Sequence, residues 1–360
     1  MTDRMLEYTD ALLQEAALYA DQTTEQVETV YFGGGTPSLL PPPLLSSLMR
    51  GLRDIFSLRT VSEWTLEANP GTLGREWLDA ALEGGMTRLS LGMQAAQNRI
   101  LRSLGRIHSM EDTLHSVQMI RQAGVHNLNL DLIFGLPGQT EEDWHETLAS
   151  ACSMNPEHIS AYGLIPEEGT PLWDDLHSGR CFLPDPDLER EMYDDLLTFL
   201  SEKGFQQYEI SNFSLPGFAC QHNIGYWTQK AYLGLGLSAS SMLRISRNRQ
   251  GLTCLRRTNT SQMDAYLQGI HQGKPVLSEE SRIPPAETQF ETMMLGLRMN
   301  RGVDEDFFLR THGISIGQRY GEKLRKLQKE GLLYSSDGAW KLTRRGMDLQ
   351  NTALVELMDP

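Results

Sequence analysis

Five short segments of this chain end in residues able to hold a small polar ligand. Gly33-Gly34-Gly35 offers backbone amides that no side chain shields, and Thr36 adds a hydroxyl before Pro37 stiffens the exit. Glu67 can accept from an ammonium group, Gln94 and Asp131 can bind ribose hydroxyls, and Arg106 can pair with a carboxylate in a forked geometry. Together these groups suit an amino acid joined to a nucleoside. Further on, His222, Tyr226 and Trp227 stand within one short stretch, an imidazole beside two flat aromatic surfaces. That trio suits a metal-bearing planar ligand, and equally a packed core. Taken singly, each feature has an ordinary structural use: a turn for the glycines, a solvated surface for Glu67 and Arg106, a loop contact for His222.

Spacing raises the first group above its parts. The apolar runs Thr29 to Phe32, Trp64 to Glu67, Arg88 to Leu91, Leu128 to Ile133 and Ile159 to Leu164 alternate with helical stretches. Their closing positions, Tyr31, Glu67, Gln94, Asp131 and Ile165, are 36, 27, 37 and 34 residues apart. One strand-helix-strand crossover takes about 30 residues, so each interval holds one helix, and the fold class is α/β with a parallel sheet curved into a partial barrel. Functional residues of such a sheet gather at the carboxyl ends of its strands, which gives the five positions one mouth.

Local signals place the helices. Leu6 to Ala20 carries apolar residues at helical spacing. Thr140 before Glu141, Glu142 and Asp143 reads as a cap with acidic residues in the first turn, and Gly84-Gly85 and Gly124 as stops. After about Pro184 the pattern changes to a helix over Leu188 to Phe205, a strand over Gln207 to Phe213 and a glycine-rich stretch around Tyr232 to Gly236. Pro284-Pro285 marks a boundary. Beyond it, a helix over Leu324 to Glu330 and a hairpin turned by Asp337-Gly338 make a winged-helix-like α+β unit. The expected domains are 1-183, 184-283 and 284-360.

Composition bounds the function class. The 360 residues are 40% apolar and carry 32 basic against 47 acidic side chains, a net charge of −15. That balance disfavours coating of nucleic acid or anionic membrane, although Lys323, Arg325, Lys326, Lys329, Lys341, Arg344 and Arg345 make the C-terminal region locally basic. No run of about 18 apolar residues suggests a membrane span, and Met1 to Arg4 lacks signal-peptide character, so a cytoplasmic location is expected. The four cysteines, Cys152, Cys181, Cys220 and Cys254, lack the spacing of a metal knuckle and read as thiols mostly buried in the fold.

Tyr-Phe-Gly-Gly-Gly-Thr-Pro-Ser, Leu-Glu-Ala-Asn-Pro, Leu-Gly-Met-Gln and Asp-Leu-Ile-Phe-Gly-Leu-Pro-Gly-Gln-Thr occur in that order between Tyr31 and Ile165. They resemble the S-adenosylmethionine pocket of the radical-SAM superfamily, in its HemN/HemW branch. The resemblance implies that Gly34, Gly35, Thr36, Glu67, Gln94, Arg106, Asp131 and Ile165 contact S-adenosylmethionine. It also implies a [4Fe-4S] cluster on a Cys-x3-Cys-x2-Cys loop ahead of the first visible strand, and that loop has no counterpart here. The expectation is a partial barrel without its first strand and cluster loop, through a start placed downstream or through loss of the radical chemistry, with no turnover as it stands and no catalytic residue or cluster ligand to name. His222-Asn-Ile-Gly-Tyr226-Trp227 resembles the motif that sets HemW-like haem chaperones apart from HemN-like oxygen-independent coproporphyrinogen III oxidases. It implies haem as ligand, with His222, Tyr226 and Trp227 at its site, His222 as an iron ligand, and a haem-acceptor protein as partner. The oxidase is the competing reading; a nucleic-acid binder using the basic C-terminal unit is a third, disfavoured by the acidic balance.

Overall fold

A computed structural model describes residues 2-20, 26-58, 60-248 and 251-359. Its main sheet has seven strands in the order β1-β2-β3-β4-β5-β7-β6. They are β1 (Thr29–Phe32), β2 (Glu63–Ala68), β3 (Arg88–Gln94), β4 (Leu128–Phe134), β5 (His158–Gly163), β6 (Gln206–Glu209) and β7 (Asn212–Ser214). The first five run parallel, joined by helical crossovers, and β7 and β6 close the far side antiparallel. Among the described residues β1 is the other edge of this curved half-barrel and pairs with β2 alone.

Alternation along the strands gives the sheet two unlike faces. Trp64, Leu66, Leu89, Leu91, Leu130 and Ile159 point to the helical layer, where they join Trp77, Leu78, Trp144, Leu148 and Leu196 in one buried cluster. Glu63, Thr65, Arg88, Ser90, Asn129 and His158 fall on the opposite, concave face and are buried there as well. A parallel sheet covered by helices on both faces would carry apolar residues at both sets of positions, so this polar face marks an interior that accommodates something other than a second helical layer.

The caps form as the local signals require. Thr140 and Asp143 make a reciprocal capping box at the helix Glu141–Ser153, and Gly85 ends the helix Arg75–Gly84 in a left-handed conformation. Asp337 and Gly338 both have positive φ, 54° and 75°, as the type I′ hairpin demands. One expectation fails: 207-213 is not a single strand. The chain reverses at Ile210-Ser211 between β6 and β7, because the fully buried Glu209 carboxylate accepts from Ser211 N–H at 3.1 Å and from the Asn212 side-chain amide. This hairpin extends the half-barrel sheet, so the segment 184-283 contributes to the same layer as 1-183.

That segment also holds a three-stranded antiparallel sheet, β10-β9-β8, from β8 (Ser240–Asn248), β9 (Gly251–Asn259) and β10 (Leu277–Ile283). It is tied to the first helix, Thr2–Ala20, by Glu15. That carboxylate is fully buried and accepts from Gly236 N–H, Asn259 Nδ2 and Tyr266 Oη, each at 2.7 Å. Past Pro284, β11 (Val303–Asp304), β12 (Leu333–Ser336) and β13 (Ala339–Leu342) pack with the helices Glu305–His312 and Ile316–Lys329 around a separate core.

Candidate functional site

The carboxyl ends of β1 to β5 open into a cavity of about 560 Å³. Gly35, Thr36, Glu67, Gln94, Arg106, Asp131 and Ile165 all line it, whereas Gly34 faces the larger cavity beside it. Gly33 explains why the loop begins with a glycine: a Cβ there would lie 2.6 Å from the Tyr31 ring and 2.8 Å from the Glu67 carboxyl carbon. Gly34 takes φ +81°, and a Cβ on Gly35 would enter open space, so the loop presents bare backbone to the cavity.

Glu67 is held on two sides. Tyr31 Oη donates to Glu67 Oε1 at 2.6 Å, and the Gly34 N–H supports the same carboxylate. Burial pushes its pKa up, and a cationic group beside it would favour the charged form. Asp131 accepts from Ser90 Oγ at 2.9 Å and Asn129 Nδ2 at 2.8 Å; burial raises its pKa too. The network continues inward: His158 Nδ1 lies 2.6 Å from Asn129 Oδ1 and Nε2 lies 2.9 Å from Tyr208 Oη. Because the Asn129 oxygen can only accept, Nδ1 carries the proton and Nε2 accepts from the tyrosine. Arg106 is half-buried at the rim and has no ion pair among the described residues. Its guanidinium is free for a carboxylate.

Gln94 carries backbone strain. Its φ is +66°, and it follows an irregularity in the β3-β4 register that turns its side chain back over Gly92. Gln94→Val, which places a β-branched residue in the left-handed region, is expected to cost about 1-3 kcal/mol in a urea melt, whereas Gln94→Asn should cost much less.

Tyr31, expected only as a strand end, lines the cavity too, together with Asn69, Ser90 and Tyr162, which the sequence did not single out. Strand alternation was the available signal, since Tyr31 lies two positions before Gly33 and Ser90 four before Gln94.

The second group surrounds the helix Gln221–Trp227, on the wall of a cavity of about 2110 Å³ that runs along β1. Glu63 sits at the helix start and accepts from Gln221 N–H at 2.9 Å, His222 N–H at 3.0 Å and the Cys220 thiol at 3.3 Å. His222 is clamped on every side: Nδ1 is 2.9 Å from Thr29 Oγ1, Nε2 is 2.9 Å from Tyr226 Oη, and the ring stacks on Tyr31. Burial lowers its pKa to about 4, so the imidazole is neutral near pH 7. Tyr226 stands edge-on to both His222 and Tyr232. Trp227 has Arg298 over its ring at 4.6 Å and lines the same cavity.

The cysteines are scattered. Cys220 and Cys254 are buried, Cys152 and Cys181 half-buried, and burial pushes Cys152, Cys220 and Cys254 up to about 11. No group of three or more Cys, His, Asp or Glu among the described residues could hold a metal ion. No described helix is long and apolar enough to cross a membrane.

Residues 3-151 match the radical SAM superfamily model and residues 283-349 the HemN C-terminal domain. The heme chaperone HemW of Lactococcus lactis subsp. lactis (strain IL1403) is 32% identical over 98% of this chain and 89% of its own length. That of Bacillus subtilis (strain 168) is 33% identical over 96% and 89%. Among solved structures, coproporphyrinogen III oxidase (HemN) from Escherichia coli superposes with a TM-score of 0.82 at 23% identity, covering 99% of this chain and 84% of that one. The last likeness concerns the fold.

Proposed function

The chain belongs to the HemW family of radical SAM proteins, and from that premise we propose that it is a haem chaperone, binding haem beside His222 and passing it to an acceptor protein. One observation carries the reading: a neutral imidazole, positioned by the hydroxyls of Thr29 and Tyr226, forms part of the wall of a cavity large enough for a tetrapyrrole. Neutral imidazole is the form that ligates iron. Its Nε2 is engaged by Tyr226 Oη, so ligation requires that hydroxyl to turn away, and Tyr226 then offers its ring to the ligand plane. Trp227 holds the end of that helix through Arg298 and contributes apolar surface.

Gly34, Gly35, Thr36, Glu67, Gln94, Arg106, Asp131 and Ile165 would hold S-adenosylmethionine. The bare backbone at Gly35 and the unpaired guanidinium of Arg106 fit a nucleoside carrying an amino acid. Glu67 would take the ammonium group and Arg106 the carboxylate, while Asp131, locked by Ser90 and Asn129, keeps a fixed acceptor near a ribose. S-adenosylmethionine bound to a [4Fe-4S] cluster supplies a radical on reduction. The described residues contain no thiolate set for that cluster, and they are assigned no redox step. We assign 1-183 to the cofactor half-barrel, 184-283 to the haem-binding extension, 284-360 to a covering unit, and the protein to the cytoplasm. The basic C-terminal side chains support docking within the chain: Arg319 and Lys323 pair with Asp359, Lys326 with Glu356 and Arg344 with Asp194.

The test is a haemin titration followed by the Soret band. His222→Ala is expected to weaken binding by about tenfold or more, the loss of one axial ligand bond. Equal affinity in variant and parent removes His222 from the site.

A further inference from the structure

Tyr31 belongs to both cavities. Its ring stacks against His222 with centroids 4.9 Å apart and planes at 24°, while its hydroxyl donates to Glu67 Oε1 at 2.6 Å. A tyrosine has two rotatable bonds, so movement at one end is felt at the other. The same two strands supply the remaining clamps on His222. Thr29, two residues before Tyr31 on β1, holds the ring through Nδ1, and Glu63, four before Glu67 on β2, holds the backbone N–H. The site at the strand ends and the site on the helix Gln221–Trp227 thus share a wall one side chain thick.

We infer that Tyr31 couples the two sites: a ligand ammonium group on Glu67 loosens the hold of that carboxylate on the tyrosine hydroxyl, and the released ring frees His222 to bind a metal-bearing ligand. The physical step is competition for charge. Glu67 now spends its acceptor strength on Tyr31 and on the Gly34 N–H, and hydrogen bonds to an ionised carboxylate are the strong ones. An ammonium partner neutralises the carboxylate and weakens what remains for the tyrosine. Once the ring can swing, the stack that fixes the imidazole is relaxed and Nε2 can leave Tyr226 Oη. The inference rests on the ligand assignments proposed above and adds their mutual dependence, which linkage makes reciprocal.

The experiment measures haemin affinity with and without saturating S-adenosylmethionine, in the parent and in Tyr31→Phe. In the parent, S-adenosylmethionine is expected to tighten haemin about five- to tenfold, and haemin to tighten S-adenosylmethionine by the same factor. In Tyr31→Phe, whatever happens to either affinity alone, the ratio is expected to fall within about twofold of unity. Glu67→Gln provides a second reading without the nucleoside. Its uncharged carboxamide grips the hydroxyl less, so haemin alone should bind this variant several-fold tighter than it binds the parent. A parent ratio of one, or a ratio that survives in Tyr31→Phe, overturns the coupling. A parent that fails to bind one of the two ligands overturns that ligand's assignment and the coupling with it, an outcome distinct from two ligands that bind independently.

Discussion

Arg298→Met is expected to cost about 3-5 kcal/mol in a urea melt, one of the two largest effects that the buried ionisable groups of this chain predict. Glu209 is fully buried, and Arg298 Nε donates to its Oε2 at 2.6 Å while Nη2 reaches Ser211 Oγ at 3.1 Å. Removing the guanidinium leaves a carboxylate in the interior with only neutral donors, Ser211 N–H and the Asn212 amide. The damage extends beyond the pair. Arg298 stacks on Trp227, and the next residues, Met299 and Asn300, bridge to Glu209 and bond to Tyr208 and Gln207. This is where the C-terminal unit is fastened to β6. The double variant Arg298→Met with Glu209→Leu should therefore be less destabilised than Arg298→Met alone, because no unpaired charge remains inside. If the single and double variants lose the same stability, the buried charge is not the cause and packing on Trp227 is.

That fastening was invisible in the sequence, and the reason is physical. Strand ends were legible because each parallel strand changes at one point from alternating packing to a bare loop or a ligand group, so Glu67, Gln94 and Asp131 recur at crossover spacing. Turn chemistry was legible for a similar reason: only Asp337-Gly338 among its neighbours tolerates two successive positive φ values. Groups that join elements far apart in the chain leave no local period. Glu15 anchors Gly236, Asn259 and Tyr266 at separations of 221, 244 and 251 residues. Glu63, one residue ahead of the strand expected from Trp64 to Glu67, opens β2 and serves as the acceptor for a helix 158 residues later. Tyr31 was legible as a strand end, but its contact with His222 was not, since it depends on a histidine far along the chain. The misread strand at 207-213 has the same origin, as nothing local announces that Glu209 will be buried and will pull the backbone round on itself.

Stability should fall steeply as pH drops from about 7 to about 5, driven chiefly by the three imidazoles whose pKa values are lowered most. His158 is held far below its ordinary pKa by burial and by Arg88 nearby; burial likewise lowers His222 and His312 to about 4. The sign follows from proton counting. In the unfolded chain these histidines protonate near pH 6.5, whereas in the folded one His222 and His312 stay neutral to about pH 4 and His158 well below its ordinary range, so below pH 6.5 the unfolded state binds more protons and gains free energy as acid is added. The stabilisation is complete above the unfolded pKa and is lost on the way down to the folded one. These three groups contribute at most about 4 kcal/mol per pH unit between pH 6 and 5, at ~1.4 kcal/mol per proton per unit, and His108, which burial also lowers, adds to the same slope. The buried carboxyls act in the other direction. Burial raises the pKa of Glu15, Glu67 and Asp131, so their folded forms take up protons first and offset part of the slope. His158 should carry a full share of that slope, since both of its nitrogens already serve the Asn129 and Tyr208 bonds and a second ring proton would require the tyrosine hydroxyl to turn from donor to acceptor. Urea melts at about pH 7, 6 and 5 measure the slope, and His158→Gln should flatten it by roughly one third even though the variant is less stable at pH 7. A stability that stays level from pH 7 to 5 would mean that these rings are hydrated or already charged in the folded protein, and it would also remove the neutral imidazole on which the proposed use of His222 depends.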